Sequence, residues 1–199
     1  MIRHLPVGDI GTNCYIVSGG TPGTCLIVDP GDEAGAVAAA LGDLRPEAVL
    51  LTHGHWDHTG AADALCEACG VPLYIHPLDA PMLKDPYLNA SEAFGRSAVC
   101  HTEPLPLNEG PLELAGLKLN VLHTPGHTPG SVCLILPGET DILTGDTLFQ
   151  GGYGRTDLPG GDFHALRESL RRLMMTLPRM TAWPGHGPRG TAGRENPIF

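Results

Sequence analysis

The chain has 199 residues, 42% of them hydrophobic, enough for one domain spanning residues 1–199 and ordinary for a soluble globular protein. Its formal net charge of -10 argues against a nucleic-acid binder, which would need a basic stripe. The opening Met1-Ile2-Arg3-His4-Leu5-Pro6 lacks the apolar core of a secretory signal, and no run reaches the ~18 apolar residues of a membrane span, so the cytoplasm is the expected compartment.

Taken in chain order, residues 14–17 and 25–28 read as paired strands around the turn 19–23, and Asp29-Pro30-Gly31-Asp32 stops the second. Residues 33–41 are alanine-rich and helical, with Gly42 as C-cap. The buried strand 48–51 empties into Thr52-His53-Gly54-His55-Trp56-Asp57-His58. A helix over about 60–69 and the strand 72–75 follow. Within that helix Cys66 and Cys69 form a C-x-x-C without a second cysteine pair, a weak signal for structural zinc. The six cysteines sit mostly in apolar stretches and read as reduced thiols.

Residues 76–109 are irregular and contain proline, with one helix expected near 80–83 and a flexible segment over the site. Residues 112–114 and 117–122 read as a hairpin around Ala115-Gly116, leading to His127. Strands are expected at 131–136 and at 141–143, the latter leading to Asp146. Leu166, Leu170, Leu173 and Leu177 give helical spacing over 163–177. A last strand, 180–183, ends at His186. Two half-chains of strands followed by helix predict two packed sheets with helices outside, and ligands at strand ends converging on one edge.

The chemistry-bearing residues are His53, His55, Asp57 and His58 in an H-x-H-x-D-H turn, His127, Asp146 and His186. Imidazole and carboxylate are ligands for zinc and similar borderline metals. His53 and His55, two apart, can share one ion, while Asp57 and His58 face a neighbouring position. His127 can complete the first group and His186 the second, and Asp146 has two oxygens with which to bridge. His4, His76, His101 and His164 lack ligand-like spacing. His123 reads first as a strand-end residue with a local hydrogen bond, and second as a partner of His127. In the glycine-rich segment 151–157, Tyr153 and Arg155 are candidate substrate contacts, Arg155 through a forked anion contact or, equally, through an ion pair with Asp157 that fixes the loop.

These motifs resemble the metallo-β-lactamase superfamily from Asn13-Cys14-Tyr15-Ile16-Val17 to Asn196-Pro197. Gly145-Asp146-Thr147-Leu148-Phe149, Gly154-Arg155-Thr156-Asp157 and Pro184-Gly185-His186-Gly187-Pro188 are similar to the glyoxalase II-like hydrolases, in the short form lacking an accessory helical domain. The resemblance implies an αβ/βα sandwich and two divalent metal ions, usually zinc and sometimes iron or manganese. It places His53, His55 and His127 on the first ion, Asp57, His58 and His186 on the second, and Asp146 between them. The implied reaction is hydrolysis of a small anionic thioester such as S-lactoylglutathione by a metal-held hydroxide, with Asp57 as base, and without nucleic acid or membrane as partner. The chain stops soon after His186, so a glutathione-binding helical domain is not expected. Persulfide dioxygenases, with a mononuclear iron on two histidines and the aspartate, are similar around residues 154–157. Lactone or β-lactam hydrolysis and a non-catalytic metal-binding module remain open on the same frame.

Overall fold

The computed structural model describes residues 1–176, 180–192 and 196; Leu177 and Pro197 lie outside the described residues. Two six-stranded mixed sheets stack face to face. The first runs in spatial order β1 (Ile2–Val7), β2 (Thr12–Ser18), β3 (Thr24–Val28), β4 (Arg45–Leu50), β5 (Leu73–Ile75), β6 (Leu105–Pro106). The second runs β12 (Gly190–Thr191), β11 (Thr181–Pro184), β10 (Asp141–Gly145), β9 (Val132–Ile135), β8 (Leu117–His123), β7 (Gly110–Leu114). Helices α1 (Ala34–Leu41) and α3 (Ala62–Cys69) cover the first sheet and α4 (Phe163–Thr176) the second, while α2 (Trp56–Thr59) is a single turn inside the histidine motif. This is the αβ/βα sandwich that the sequence predicts.

Strand periodicity explains the layering, because successive side chains point to opposite faces. In β2, Cys14 and Ile16 join the helix-side core while Tyr15 and Val17 enter the core between the sheets. In β3, Cys25 and Ile27 divide from Leu26 and Val28 in the same way. In β9, Val132 and Leu134 face the first sheet while Cys133 and Ile135 face α4. Both faces are buried, so the residues at the centre of these strands are apolar in succession.

Several elements differ from expectation. The helix expected over about 60–69 is found as α3, and the turn α2 before it has no expected counterpart; the two stay separate because the chain is pinned at the junction. Ala61 N donates to the Pro30 carbonyl, and a methyl group at Gly60 would collide with Gly31. Glu33 stands outside α1, with φ at 54°. The helix expected near 80–83 is a 3-10 turn, Ala80–Lys84. The edge strands β1, β6 and β12 have no expected counterpart; β6 and β12 are two residues each, too short to show periodicity, and form by pairing with a neighbour. Among the described residues no helix is long and apolar enough to cross a membrane.

Candidate metal centre

All seven expected ligands follow a strand and meet at one edge of the sandwich. His53 and His55 lie just after β4, and Asp57 and His58 in α2. His127 follows β8, Asp146 follows β10 and His186 follows β11. Ligand atoms of His53, His55 and His127 lie within 4.8 Å of one another, as do those of His53, His58 and Asp146, and those of Asp57, His58 and His186. One half-chain supplies four of the seven residues and the other supplies three, so the centre straddles the two sheets.

The sheets are stitched together at this point. Asn13 N donates to the Gly185 carbonyl (2.7 Å), Asn13 Nδ2 to the Pro184 and Gly187 carbonyls (2.8 and 2.9 Å), and the Tyr15 hydroxyl to Pro184 (2.6 Å). These bonds tie the His186 loop to β2. Two glycines allow the close packing. A methyl group at Gly31 would strike the Asp57 carbonyl, and one at Gly185 would strike Asp146 Oδ1 and the His58 ring.

Hydrogen bonds around the rings determine which nitrogens are free. The Thr52 hydroxyl donates its one proton to Asp29 Oδ2 (2.6 Å), so His53 Nδ1, 3.1 Å from that hydroxyl, carries the proton between them. His53 Nε2 is left with its lone pair, buried and without a hydrogen-bond partner. His127 Nδ1 lies 2.7 Å from the Arg155 carbonyl, which can only accept, so His127 Nε2 holds the lone pair. His58 Nδ1 faces Asp29 Oδ2 at 3.1 Å, turning its Nε2 toward Asp57 (3.4 Å) and Asp146 (3.5 Å). His53 and His127 thus each hold one nitrogen in a hydrogen bond, and all three rings aim the other at a common space, the arrangement that fixes orientation in metal-ligating histidines.

His55 Nδ1 and His127 Nε2 are 2.9 Å apart, a separation that requires a proton or cation between them. Asp146 Oδ1 is likewise buried without a hydrogen bond. Each such orphan costs about 1–3 kcal/mol unless an ion supplies the missing partner. The donor set therefore fits divalent cations.

Electrostatics point the same way. Burial, reinforced by the neighbouring imidazoles, holds His53 and His55 well below the ordinary histidine pKa, so both are neutral, as a ligand must be. Burial opposes charge on His58, yet the carboxylates of Asp57, Asp146 and Asp29 push its pKa up to about 10. Burial also works against the Asp57 carboxylate, but His58 and His186 hold its pKa well below the usual range. Its Oδ2 accepts from Thr12 Oγ1 (2.9 Å) and lies 3.2 Å from His186 Nε2.

Other expectations resolve by geometry. His123 Nε2 donates to the Pro129 carbonyl (2.9 Å) and its ring stacks on His76 at 4.2 Å, a local bond rather than contact with His127. Arg155 makes the Asp157 pair, with Nε and one terminal nitrogen each 2.7 Å from a carboxylate oxygen. Tyr153 stands at the cavity rim, its ring 6.0 Å from that of Phe163. The six cysteines are free thiols, and no cysteine joins a candidate ligand group among the described residues.

Two buried acids escape the sequence reading. Asp29, read as a strand stop, orients Thr52 and His58 as above, and its φ of 51° is the only trace of that task in its backbone. Asp79 lies in the irregular stretch with no motif around it. Its carboxylate accepts from Gly54 N (3.0 Å), Thr128 Oγ1 (2.6 Å) and Gly130 N (2.6 Å), joining the His53–His55 turn to the His127 turn. Burial raises its pKa, against the lowering effect of those three donors. Asp79→Ala orphans them and is expected to weaken metal affinity about 10–100-fold, read by competition with a chromogenic chelator. Unchanged affinity with lower thermal stability would show a purely structural role.

Comparison with known proteins agrees with this geometry. The Haemophilus influenzae (strain ATCC 51907 / DSM 11121 / KW20 / Rd) hydroxyacylglutathione hydrolase GloC is 35% identical over 200 residues, covering 98% of this chain and 94% of its own. The Bacillus subtilis (strain 168) protein named probable metallo-hydrolase YqgX is 39% identical over 206 residues, covering 99% and 96%. Among solved structures, BLEG-1 B3 metallo-beta-lactamase superposes with a TM-score of 0.91 at 39% identity, covering 96% of this chain and 94% of that one. TTHA1623 in a di-iron-bound form gives 0.83 at 41% identity, covering 95% and 94%. The metallo-beta-lactamase superfamily model matches residues 7–186, from the end of β1 through the last histidine of the centre, and the chain belongs to that superfamily.

Proposed function

We propose that this chain, a metallo-hydrolase of the metallo-beta-lactamase superfamily, hydrolyses thioesters of the S-lactoylglutathione type at a two-ion centre. The observation that carries the reading is the two ligand groups His53–His55–His127 and Asp57–His58–His186, with Asp146 Oδ2 3.5 Å from His127 and 3.6 Å from His186, beside one cavity of about 490 Å³. His53, His55 and His127 would hold the first cation, Asp57, His58 and His186 the second, and Asp146 both. Zinc is the first candidate, and iron is supported by the di-iron form of TTHA1623. Bound there, two divalent cations supply Lewis acidity that activates water and polarises a carbonyl.

The protein's own residues do the rest. Asp57, ionised and steadied by Thr12 Oγ1, orients the attacking water and receives its proton as the oxygen–carbon bond forms. Cleavage of the carbon–sulfur bond releases a thiol whose pKa is about 8.5, so it departs as thiolate without a dedicated acid. Trp56, buried under the Arg96 guanidinium at 4.6 Å, helps close the wall beside the reacting carbonyl.

The complete Asp57–His58–His186 group supports two ions over the single iron of a persulfide dioxygenase. The likeness to BLEG-1 makes β-lactam hydrolysis the second reading. Thiol release from S-D-lactoylglutathione, measured colorimetrically on metal-loaded protein with a chromogenic cephalosporin in parallel, tests both. Metal-loaded protein that hydrolyses no thioester, neither this one nor a simple acyl thioester, faster than metal-free protein would overturn the proposal.

A further inference from the structure

The walls around the metal centre carry information about the substrate that the ligands do not. Ile10, Trp56, Phe94, Phe149, Tyr153 and Leu158 surround the cavity. Ile10, Phe94 and Tyr153 are large apolar side chains each more than two-fifths exposed, and all three converge on this one opening. The rim is also braced. Arg96 pairs with Asp9 (2.6 Å), joining the turn that carries Ile10 to the segment that carries Phe94, and its guanidinium caps the Trp56 ring. Phe94 also packs on Trp56, the two ring centres 5.8 Å apart. Asn89 O accepts from Trp56 N (3.1 Å), so the same segment is fastened to the histidine motif.

Beyond the metal centre itself, the walls offer an anionic thiol carrier little charge to bind. Apart from the candidate ligands, Arg155 is the one charged residue of the lining among the described residues, and the Nε–Nη2 edge of its guanidinium is engaged by Asp157. Outside the metal centre, a carboxylate-bearing carrier such as glutathione would find on these walls one cation, already paired with a carboxylate. A cavity of this size suits a small ligand, and its apolar surface gains from burying hydrocarbon.

We infer that the cavity selects a thioester whose acyl group is an uncharged hydrocarbon chain, in preference to a hydroxyacyl glutathione. The inference rests on the thioesterase reading for its chemistry, but on the cavity wall alone for its selectivity. Chain length is then the controlling variable. Each methylene withdrawn from water is worth about 4-fold in kcat/KM until the cavity is filled. Truncating Phe94 or Ile10 shortens the wall and flattens that dependence.

The test uses the metal-loaded full chain and N-acetylcysteamine thioesters from acetyl to octanoyl, beside S-D-lactoylglutathione. In parallel, calorimetry follows binding of the carboxylate products from acetate to octanoate, with S-methylglutathione for comparison. Expected are a kcat/KM that climbs by 10-fold or more along the series, octanoate binding far tighter than acetate with a negative heat-capacity change, and a flatter series for Phe94→Ala. A flat series, or S-D-lactoylglutathione outrunning octanoyl thioester, overturns the inference while leaving the thioesterase reading in place. No turnover of any thioester, with octanoate still bound in preference to acetate, overturns the thioesterase reading and keeps the selectivity. Acetate and octanoate binding alike overturns the selectivity whatever the turnover.

Discussion

Restoring a divalent cation to chelator-stripped protein, at about a thousand times its Kd, is expected to stabilise the fold by about 4 kcal/mol. For a domain of this size that is a rise in Tm of roughly 8–16 °C. The reason lies in the centre itself. Seven ionisable side chains crowd into one edge of the sandwich, and His53 Nε2 and Asp146 Oδ1 are buried there without hydrogen bonds. The cation supplies those partners in the native state only, because the ligands come from both half-chains and are scattered on unfolding. Loading also displaces protons. His58, whose pKa the surrounding carboxylates push up to about 10 against the effect of burial, must lose its proton to ligate. Apparent affinity therefore weakens as pH falls and strengthens as it rises. Thermal scans with metal analysis check the prediction, two ions per chain at saturation being the expected count. A Tm that ignores the metal, with less than one ion bound, would remove the basis for a catalytic centre.

Asp57→Asn is expected to lower kcat by about 10²-fold or more, the lower part of the range for loss of a general base. An amide keeps the shape of the side chain and one oxygen to accept from Thr12 Oγ1. It cannot take the proton of the nucleophile. His53, His55 and His127 are untouched, so the first ion should stay bound. Metal content measured on the variant separates two effects: loss of one ion with loss of activity marks Asp57 as a ligand, whereas loss of activity at full loading marks it as the base. Near wild-type kcat at full loading would eliminate the base role.

How much of this was legible beforehand depends on the range over which each feature is encoded. The strands and helices around the two cores are written in local periodicity: alternate residues of β2, β3 and β9 divide between the two faces, and the leucines of α4 recur at helical spacing. The histidine motif is local too, since one short turn after β4 presents four candidate ligands within six residues. His127, Asp146 and His186 were legible because each follows an apolar run that ends in a glycine-containing turn. By contrast, Asp79 joins two ligand turns through a bond to Gly130 that spans 51 positions, and nothing near it in sequence marks it. The assignment of ring protons required the Thr52–Asp29 and His127–Arg155 contacts, and the role of Arg155 required seeing Asp157 across its guanidinium. The apolar rim is the extreme case. Ile10 and Phe94 are isolated hydrophobic residues in polar loops, a pattern that is unremarkable along a chain, and they become one surface in the folded chain, where both line the cavity and Arg96 reaches Asp9 between their loops. Hydrogen bonds and ion pairs between distant loops leave no periodic trace in the sequence, so candidate ligands could be named from residues alone while their orientation and the shape of the cavity beside them were decided by the packing of the two sheets.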